Sequence, residues 1–328
     1  VKTKFQIEAF STFHLIQNPS SILNQPNMKT RQIAAWIVAG VVMTTAFTAC
    51  KKSDDTVSLP PVGGFNSSND VAASNLQAHW TFEGTQNELV SNTAPAKTYG
   101  NVSYTTSLTT GAGQALNLTA GAVVYPPIAK LNTADALGSY TLSMWVNVKN
   151  NGKYFTSFWG LFPTASTEAF GNLSAGAETG QYPARTTADT LVLKANYKSS
   201  LGNNAFNGQD NRPDPRGKPP VGVFKGAGVW SHFVVRFDPS THQLNVFANG
   251  QSIGAYNDRG VNTVALNMLT PCQAIIGSLA GSEVGFNYGA LPSYTTLGTF
   301  AIDNIRVYNK ALTDAEIGSL YQLESAGR

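Results

Sequence analysis

The stretch Ile302-Asp-Asn-Ile-Arg-Val-Tyr-Asn-Lys-Ala-Leu-Thr-Asp-Ala-Glu-Ile317 carries two periodicities in succession. In the first half side chains alternate. Ala301, Asp303, Ile305 and Val307 fall on one side of an extended chain and Ile302, Asn304, Arg306 and Tyr308 on the other, the pattern of a half-buried strand. In the second half Thr313 and Glu316 stand at capping-box spacing, and Ile317, Leu320 and Tyr321 share one apolar stripe, which predicts a short helix over Thr313–Tyr321. A strand that runs into a capped helix reads as the last strand of a sheet with a lid on it.

Upstream, the same alternation recurs. Leu142, Met144, Val146 and Val148 oppose Ser143, Trp145 and Asn147, and Phe233, Val235 and Phe237 oppose His232, Val234 and Arg236. Leu244 and Val246 alternate with Asn245 and Phe247, after which Asn249-Gly250 supplies a turn whose two centres tolerate positive φ, so a hairpin into Ser252-Ile253 follows. The 328 residues are 42% hydrophobic and 12% charged, with 30 glycines, 17 Phe, 12 Tyr and 5 Trp, a balance suited to many short strands joined by tight turns. The expected class is all-β.

Met28 to Cys50 has a basic start (Lys29, Arg31), an apolar run from Ile33 to Met43 and small residues before a cysteine, as secretory signals do. The apolar run is shorter than the ~20 residues a membrane-spanning helix needs. Phe47-Thr48-Ala49-Cys50 resembles a lipobox, with Cys50 the lipidated residue; cleavage near Ala49 with a free Cys50 is the alternative. Lys51-Lys52-Ser53-Asp54-Asp55 resembles signals that send lipoproteins to the outer face of the outer membrane. The organisation read from these features is an over-extended gene start (1–27), a signal peptide (28–49), a lipidated cysteine with a flexible tether (50–75), one domain (76–323) and a tail (324–328). Residues 1–49 carry Lys2, Lys4, Lys29, Arg31 and Glu8, so the remainder holds equal numbers of basic and acidic side chains. Neither a nucleic-acid stripe nor a polybasic membrane patch is visible, which argues against partners that demand a strong electrostatic attraction, and the expected contact with a membrane is through the lipid alone. Cys272, alone once Cys50 is acylated, builds no disulfide or zinc pattern and reads as a small buried side chain.

The segments, in order, resemble the laminin-G-like jelly roll of the concanavalin A-type lectin and glucanase domains. Leu76-Gln-Ala-His-Trp-Thr-Phe-Glu-Gly84 looks like the family's first strand and Gly113-Gln-Ala-Leu-Asn-Leu118 like the next. Tyr140-Thr-Leu-Ser-Met-Trp-Val146 looks like a central strand, Trp230-Ser-His-Phe-Val-Val235 and Val246-Phe-Ala-Asn-Gly250 like the middle hairpin, and Ile302–Ile317 like the end. The resemblance implies two antiparallel sheets packed face to face, the first and last strands neighbours. It leaves function open, because the architecture carries lectins, hydrolases, lyases and adhesive modules.

The laminarinase-type enzymes of this fold carry Glu-x-Asp-x-x-Glu on one strand, and no such run occurs here. The acidic pairs Glu83/Glu88, Asp210/Asp214 and Asp314/Glu316 have structural readings, and His79, His232 and His242 lack metal-ligand spacing. The expectation is a non-catalytic module, with a glycoside hydrolase or lyase assembled across strands as the alternative. Asp303, of one parity with Ile305 and Val307, is expected at the core's edge, where a charge needs a partner. Glu83 at the end of the first strand would complete a hard-oxygen site for Ca²⁺. For glycan capture the candidates are Tyr154, Trp159, Tyr182, Asn204, Asn207, Asp210 and Arg212 in the long 149–228 stretch, joined by Tyr288 from a second aromatic loop. Trp80, Trp145 and Trp230 are read as framework. The expected partner is a glycan or polysaccharide, with adhesion to surface proteins as the second reading.

Overall fold

The computed structural model describes residues 59–108, 113–152, 155–165, 169–178, 189–199, 207–210, 222–241, 243–257 and 265–328. Its strands are β1 (Leu76–Trp80), β2 (Lys97–Thr106), β3 (Gln114–Val124), β4 (Tyr140–Asn147), β5 (Thr156–Pro163), β6 (Leu173–Glu178), β7 (Thr190–Ser199), β8 (Asn207–Asp210), β9 (Val223–Lys225), β10 (Ser231–Asp238), β11 (Gln243–Ala248), β12 (Gln251–Asn257), β13 (Cys272–Ile276) and β14 (Gly298–Tyr308), followed by helix α1 (Asp314–Ser325). Every pairing is antiparallel, in the order β12-β11-β10-β4-β14-β3-β13-β5-β6-β7-β8, with β1 on β14, β2 on β3 and β9 on β7. The first and last strands are neighbours, Trp80 opposite Ile305. No helix among the described residues is long and apolar enough to cross a membrane.

This continuous sheet folds on itself into two layers because β3 turns a corner. Its first part pairs with β14 through Leu116–Gly121 and its last residues, Val123 and Val124, with β13. At the corner Ala120 has φ +46° and Gly100 of β2 has φ +63°, and a Cβ on Gly100 would collide with the Ala120 carbonyl. The inward faces then meet. Phe158 of β5 packs edge-on against Phe233 of β10 and Phe300 of β14, Tyr197 of β7 lies 4.4 Å from Phe237, and Trp80 meets Trp159 at 5.9 Å. The alternation expected for β4, β10 and β11 holds, with Leu142, Met144, Val146, Phe233, Val235, Phe237, Leu244 and Val246 all in this core. Asn249 and Gly250 both have positive φ and close the β11–β12 hairpin.

The outer face of the β4/β10/β14 layer carries a second apolar cluster, formed by Val71, Val234, Phe247 and Tyr308 with Leu312, Ile317, Leu320 and Leu323 of α1 and its approach. Helix α1 starts at a complete capping box, Thr313 with Glu316, and runs past the expected end to Ser325. Two expected boundaries change. Residues 59–75 are not tether in the described region, since Val62 bridges Phe65, Ser67 and Asp70 form a capping box, and Val71 is buried against α1. Residues 324–328 are not a tail, because Glu324 is buried and Arg328 donates to the Asn66 and Pro60 carbonyls.

Between α1 and the sheet lies a buried polar lattice. Arg306 donates from Nε to Glu324 at 2.8 Å and from its terminal nitrogens to Ser68 and Asn69, and the Trp145 ring NH donates to Glu324 at 2.7 Å. Burial, the largest single influence, would lower the Arg306 pKa; Glu324 and Tyr308 together outweigh it and hold the guanidinium above its ordinary value. Ser143, His232 and Glu324 meet here, yet Ser143 Oγ (2.8 Å) and Glu324 Oε2 (3.9 Å) both face Nε2 of the ring, and Nδ1 has no partner among the described residues. Burial and then the Arg306 charge hold His232 down to about 3, so the buried imidazole is neutral and the trio is framework, not a charge relay. Glu324→Gln removes one partner of a buried pair and should cost about 3–5 kcal/mol. Asp314→Asn, which breaks the pair between Arg236 and a carboxylate 74% exposed, should cost about 0.5 kcal/mol or less. Urea midpoints of the two variants check the contrast.

Candidate functional site

The outer face of the other layer has a different composition. In β6 and β7 the residues Leu173, Ala175, Ala177, Leu191, Leu193, Ala195 and Tyr197 point into the core, so their neighbours point out. Across β5, β6 and β7 the outward residues form two rows, Ser157–Gly176–Lys194 and Gly160–Ser174–Asn196. Glu178 stands beside the first row, paired in register with Val192, and its carboxylate takes the Lys194 ammonium. Both side chains are buried, as are the Ser157 and Ser174 hydroxyls, which have no hydrogen-bond partner among the described residues. A sheet face of hydroxyls, an amide, an ion pair and glycines is built for polar contact rather than for packing.

Toward β13 the same face becomes aromatic. Phe155, Phe162, Val124 and Ile275 are buried there under Leu279, Ala280, Val284 and Phe286, and Tyr99, Phe170, Tyr288, Leu291 and Tyr294 lie half-buried at the margin. Phe170 packs against Phe155 (5.4 Å) and lies nearly parallel to Tyr294 (18°). Phe155 N–H donates to the Tyr294 carbonyl, so the 150s and 290s segments adjoin. The Phe155 ring also occupies the space a Cβ on Gly176 would need, which places the aromatic group directly beside the Ser157–Gly176–Lys194 row. Lys97 sits 4.8 Å over the Tyr99 ring, and Glu283 shapes the covering loop by accepting the Leu291 N–H. The half-buried rings can take the C–H face of a sugar, whereas the Ser157, Ser174 and Glu178 groups beside them are buried.

At the opposite edge Asp303 and Glu83 come within electrostatic reach. Asp303 Oδ2 accepts the Ser107 hydroxyl and Oδ1 the Asn304 N–H at 2.7 Å, while Glu83 accepts the Gln114 N–H with both oxygens. Burial pushes Asp303 up to about 7 against the pull of those two donors, and the charges of Glu83 and Glu324 add to the rise. Glu88, the other acid after β1, is structural: it accepts the N–H groups of His79, Val90 and Ser91 and so closes the free edge of β1.

The sequence profile described as Concanavalin A-like lectin/glucanases superfamily (Laminin_G_3) matches residues 119–318. The chain belongs to this family. A search of curated protein sequences gives no match. Among solved structures the chain is similar to domain 4 of AbnA, a GH43 extracellular arabinanase from Geobacillus stearothermophilus, in complex with arabinotriose. The identity is 18%, the coverage 76% of this chain and 98% of that one, and the TM-score 0.49. It is also similar to the binding domain of botulinum neurotoxin DC in complex with rat synaptotagmin II (12% identity, 77% and 52% coverage, TM-score 0.47). A third similarity is to the binding domain of Paraclostridial Mosquitocidal Protein 1 (12%, 76% and 52%, 0.46).

Within this concanavalin A-like frame the expected site residues separate. Trp159 is corrected: it is fully buried in the core, because β5 slips register between Ser157 and Trp159 and the extra residue turns the indole inward against Trp80. Tyr288 lies at the aromatic margin. Asn207 and Asp210 lie on β8, in register with Ser199 and Asn196. Tyr154, Tyr182, Asn204 and Arg212 lie outside the described residues. The structure adds Ser157, Phe170, Ser174, Glu178, Lys194 and Tyr294. Their signal was the alternation in Leu173-Ser-Ala-Gly-Ala-Glu178, which its small side chains make faint.

Asp303 is also corrected. A bulge at Asn304, φ +44°, sets three steps of β14 against two of β4, so Asp303 lies opposite Trp145 and shares the outer face with Arg306, not the inner one with Ile305. Its position gives a pH signature. A carboxyl whose folded pKa is raised stabilises the fold below its unfolded value near 3.8, and that contribution is lost as pH climbs through about 7. In chelator the melting temperature should therefore fall between pH 4 and about 7, by about 10 °C. Asp303→Asn should flatten that slope in a calorimetric pH series.

Proposed function

We propose that this chain is a cell-surface glycan-binding lipoprotein with no catalytic activity of its own. The observation that carries the proposal is the half-buried aromatic margin Tyr99, Phe170, Tyr288 and Tyr294 set beside two outward polar rows on the β5–β7 layer. The engagement of Glu178 by Lys194 favours binding over hydrolysis, since a retaining glycosidase needs two carboxyl groups about 5–5.5 Å apart and free to exchange a proton. The membrane side of the proposal rests on the lipobox-like Phe47–Cys50 and places the protein on the outer membrane by its lipid alone. A protein-contact module is the second reading. It is favoured by β2, which among the described residues pairs only with β3 and is exposed over most of its ten residues.

A calcium ion belongs to the proposal as a structural partner of Glu83 and Asp303. Their mutual repulsion fits a cation; against it, no third acidic, histidine or cysteine side chain joins them among the described residues. The ion would keep Asp303 ionised and remove the cost of its buried charge.

Three measurements test the proposal. The full chain in mild detergent should be retained on at least one insoluble polysaccharide of a panel and release no reducing sugar from it. Retention by none, or steady product formation, would remove the glycan-binding or the non-catalytic reading respectively. Metabolic lipid labelling should vanish in Cys50→Ser. With calcium present the melting temperature should exceed that in chelator by a few degrees, and superimposable curves would exclude the ion.

A further inference from the structure

Resting on the glycan-binding reading, we infer that Glu283 is a positioning residue of the aromatic margin: it clamps the loop 281–291 shut and so fixes where Tyr288 stands. The two ends of that loop meet. A Cβ on Gly281 would lie 2.7 Å from the Leu291 side chain and 2.9 Å from the Glu283 carboxylate, so the missing side chain is what lets all three close up. There both carboxylate oxygens accept the Leu291 N–H, at 3.0 and 2.9 Å, and Ser282 N–H donates to the Gly289 carbonyl at 2.7 Å. Inside the loop the Gly281 carbonyl accepts the Val284 and Phe286 N–H groups. A surface segment closed in this way is an Ω-loop, packed by its own side chains.

The loop is also seated from below. Val284 and Phe286 are buried in the apolar cluster, Phe286 edge-on to Phe162 of β5, and Ala280 N–H donates to the Ala169 carbonyl beside Phe170. Gly285, at φ +84°, lies against the Tyr99 hydroxyl, which a Cβ there would meet at 2.7 Å. Tyr99, Phe170 and Tyr288 thus come from three segments, and the closed loop brings Tyr288 to the other two. The Glu283 side chain itself is exposed, so its bonds to Leu291 set the shape of the loop rather than the stability of the core. A rim shaped before the ligand arrives binds more tightly, because less ordering is left to the binding step.

Amide hydrogen exchange and isothermal titration of the full chain in mild detergent test this, with soluble arabinan, xylan, mixed-linkage glucan and polygalacturonate as probes. In Glu283→Ala the Leu291 amide should exchange about tenfold faster or more, and the polymer bound most tightly by the parent should bind about tenfold more weakly. The melting temperature should stay within about 3 °C of the parent, because the loop opens locally. Glu283→Gln, whose amide oxygen still accepts the N–H, should keep the affinity within about threefold. Asp314→Asn, which removes an acid beside Arg236 on the other layer, should leave both readings unchanged. An unaltered Leu291 amide in Glu283→Ala overturns the clamp. A faster amide with unaltered affinity overturns the positioning role and leaves the glycan-binding reading standing. Binding of none of the four polymers by the parent chain overturns both.

Discussion

Two sheets pack only if each gives one face to the other, and the pleat then sends every second side chain to the opposite side. That constraint organises the molecule. In β6 and β7 it commits Leu173, Ala175, Ala177, Leu193, Ala195 and Tyr197 to the core and leaves Ser174, Gly176, Glu178, Lys194 and Asn196 outside it. In β4 and β10 it commits Leu142, Met144, Phe233 and Val235 inward and puts Ser143, Trp145 and His232 on the outer side, where α1 covers them. One geometric rule therefore makes two outer faces, and their chemistry diverges because different segments lie over them.

The face under α1 is closed by charge as well as by apolar contact. Arg306 reaches Glu324 on the helix and Ser68 and Asn69 before β1, so one side chain ties the start of the domain to its end. Such a pair is a modest source of stability but a severe penalty if half of it is lost, and it fixes one arrangement of three segments. The chain therefore enters and leaves on the same side of the sandwich, and the rows on β5–β7 belong to the opposite layer. The core therefore lies between those rows and residues 59–75.

Bulges decide where particular side chains end up. The slip in β5 moves Trp159 into the core, and the bulge at Asn304 carries Asp303 out of the parity of Ile305 and Val307. Each changes one residue of register, yet each reverses the face of everything on one side of it. Since Asp303 lands where burial raises its proton affinity, a shift of a single residue also sets the pH behaviour of that edge.

By itself the sequence determined the all-β class, the inward sets of β4, β10 and β11, the Asn249-Gly250 hairpin and the capped helix. These follow from local periodicity, positive-φ tolerance and capping, which a few neighbouring residues settle among themselves. Only the tertiary structure decided that Trp159 is core and that Asp303 faces outward. It also decided that residues 59–75 and 324–328 pack together, and that Phe155, Phe170 and Tyr294 adjoin the Ser157–Gly176–Lys194 row. The reason is that a bulge is fixed by the strand beside it, and an aromatic margin by loops more than a hundred residues apart in sequence. Neither leaves a signature in any short window of the chain.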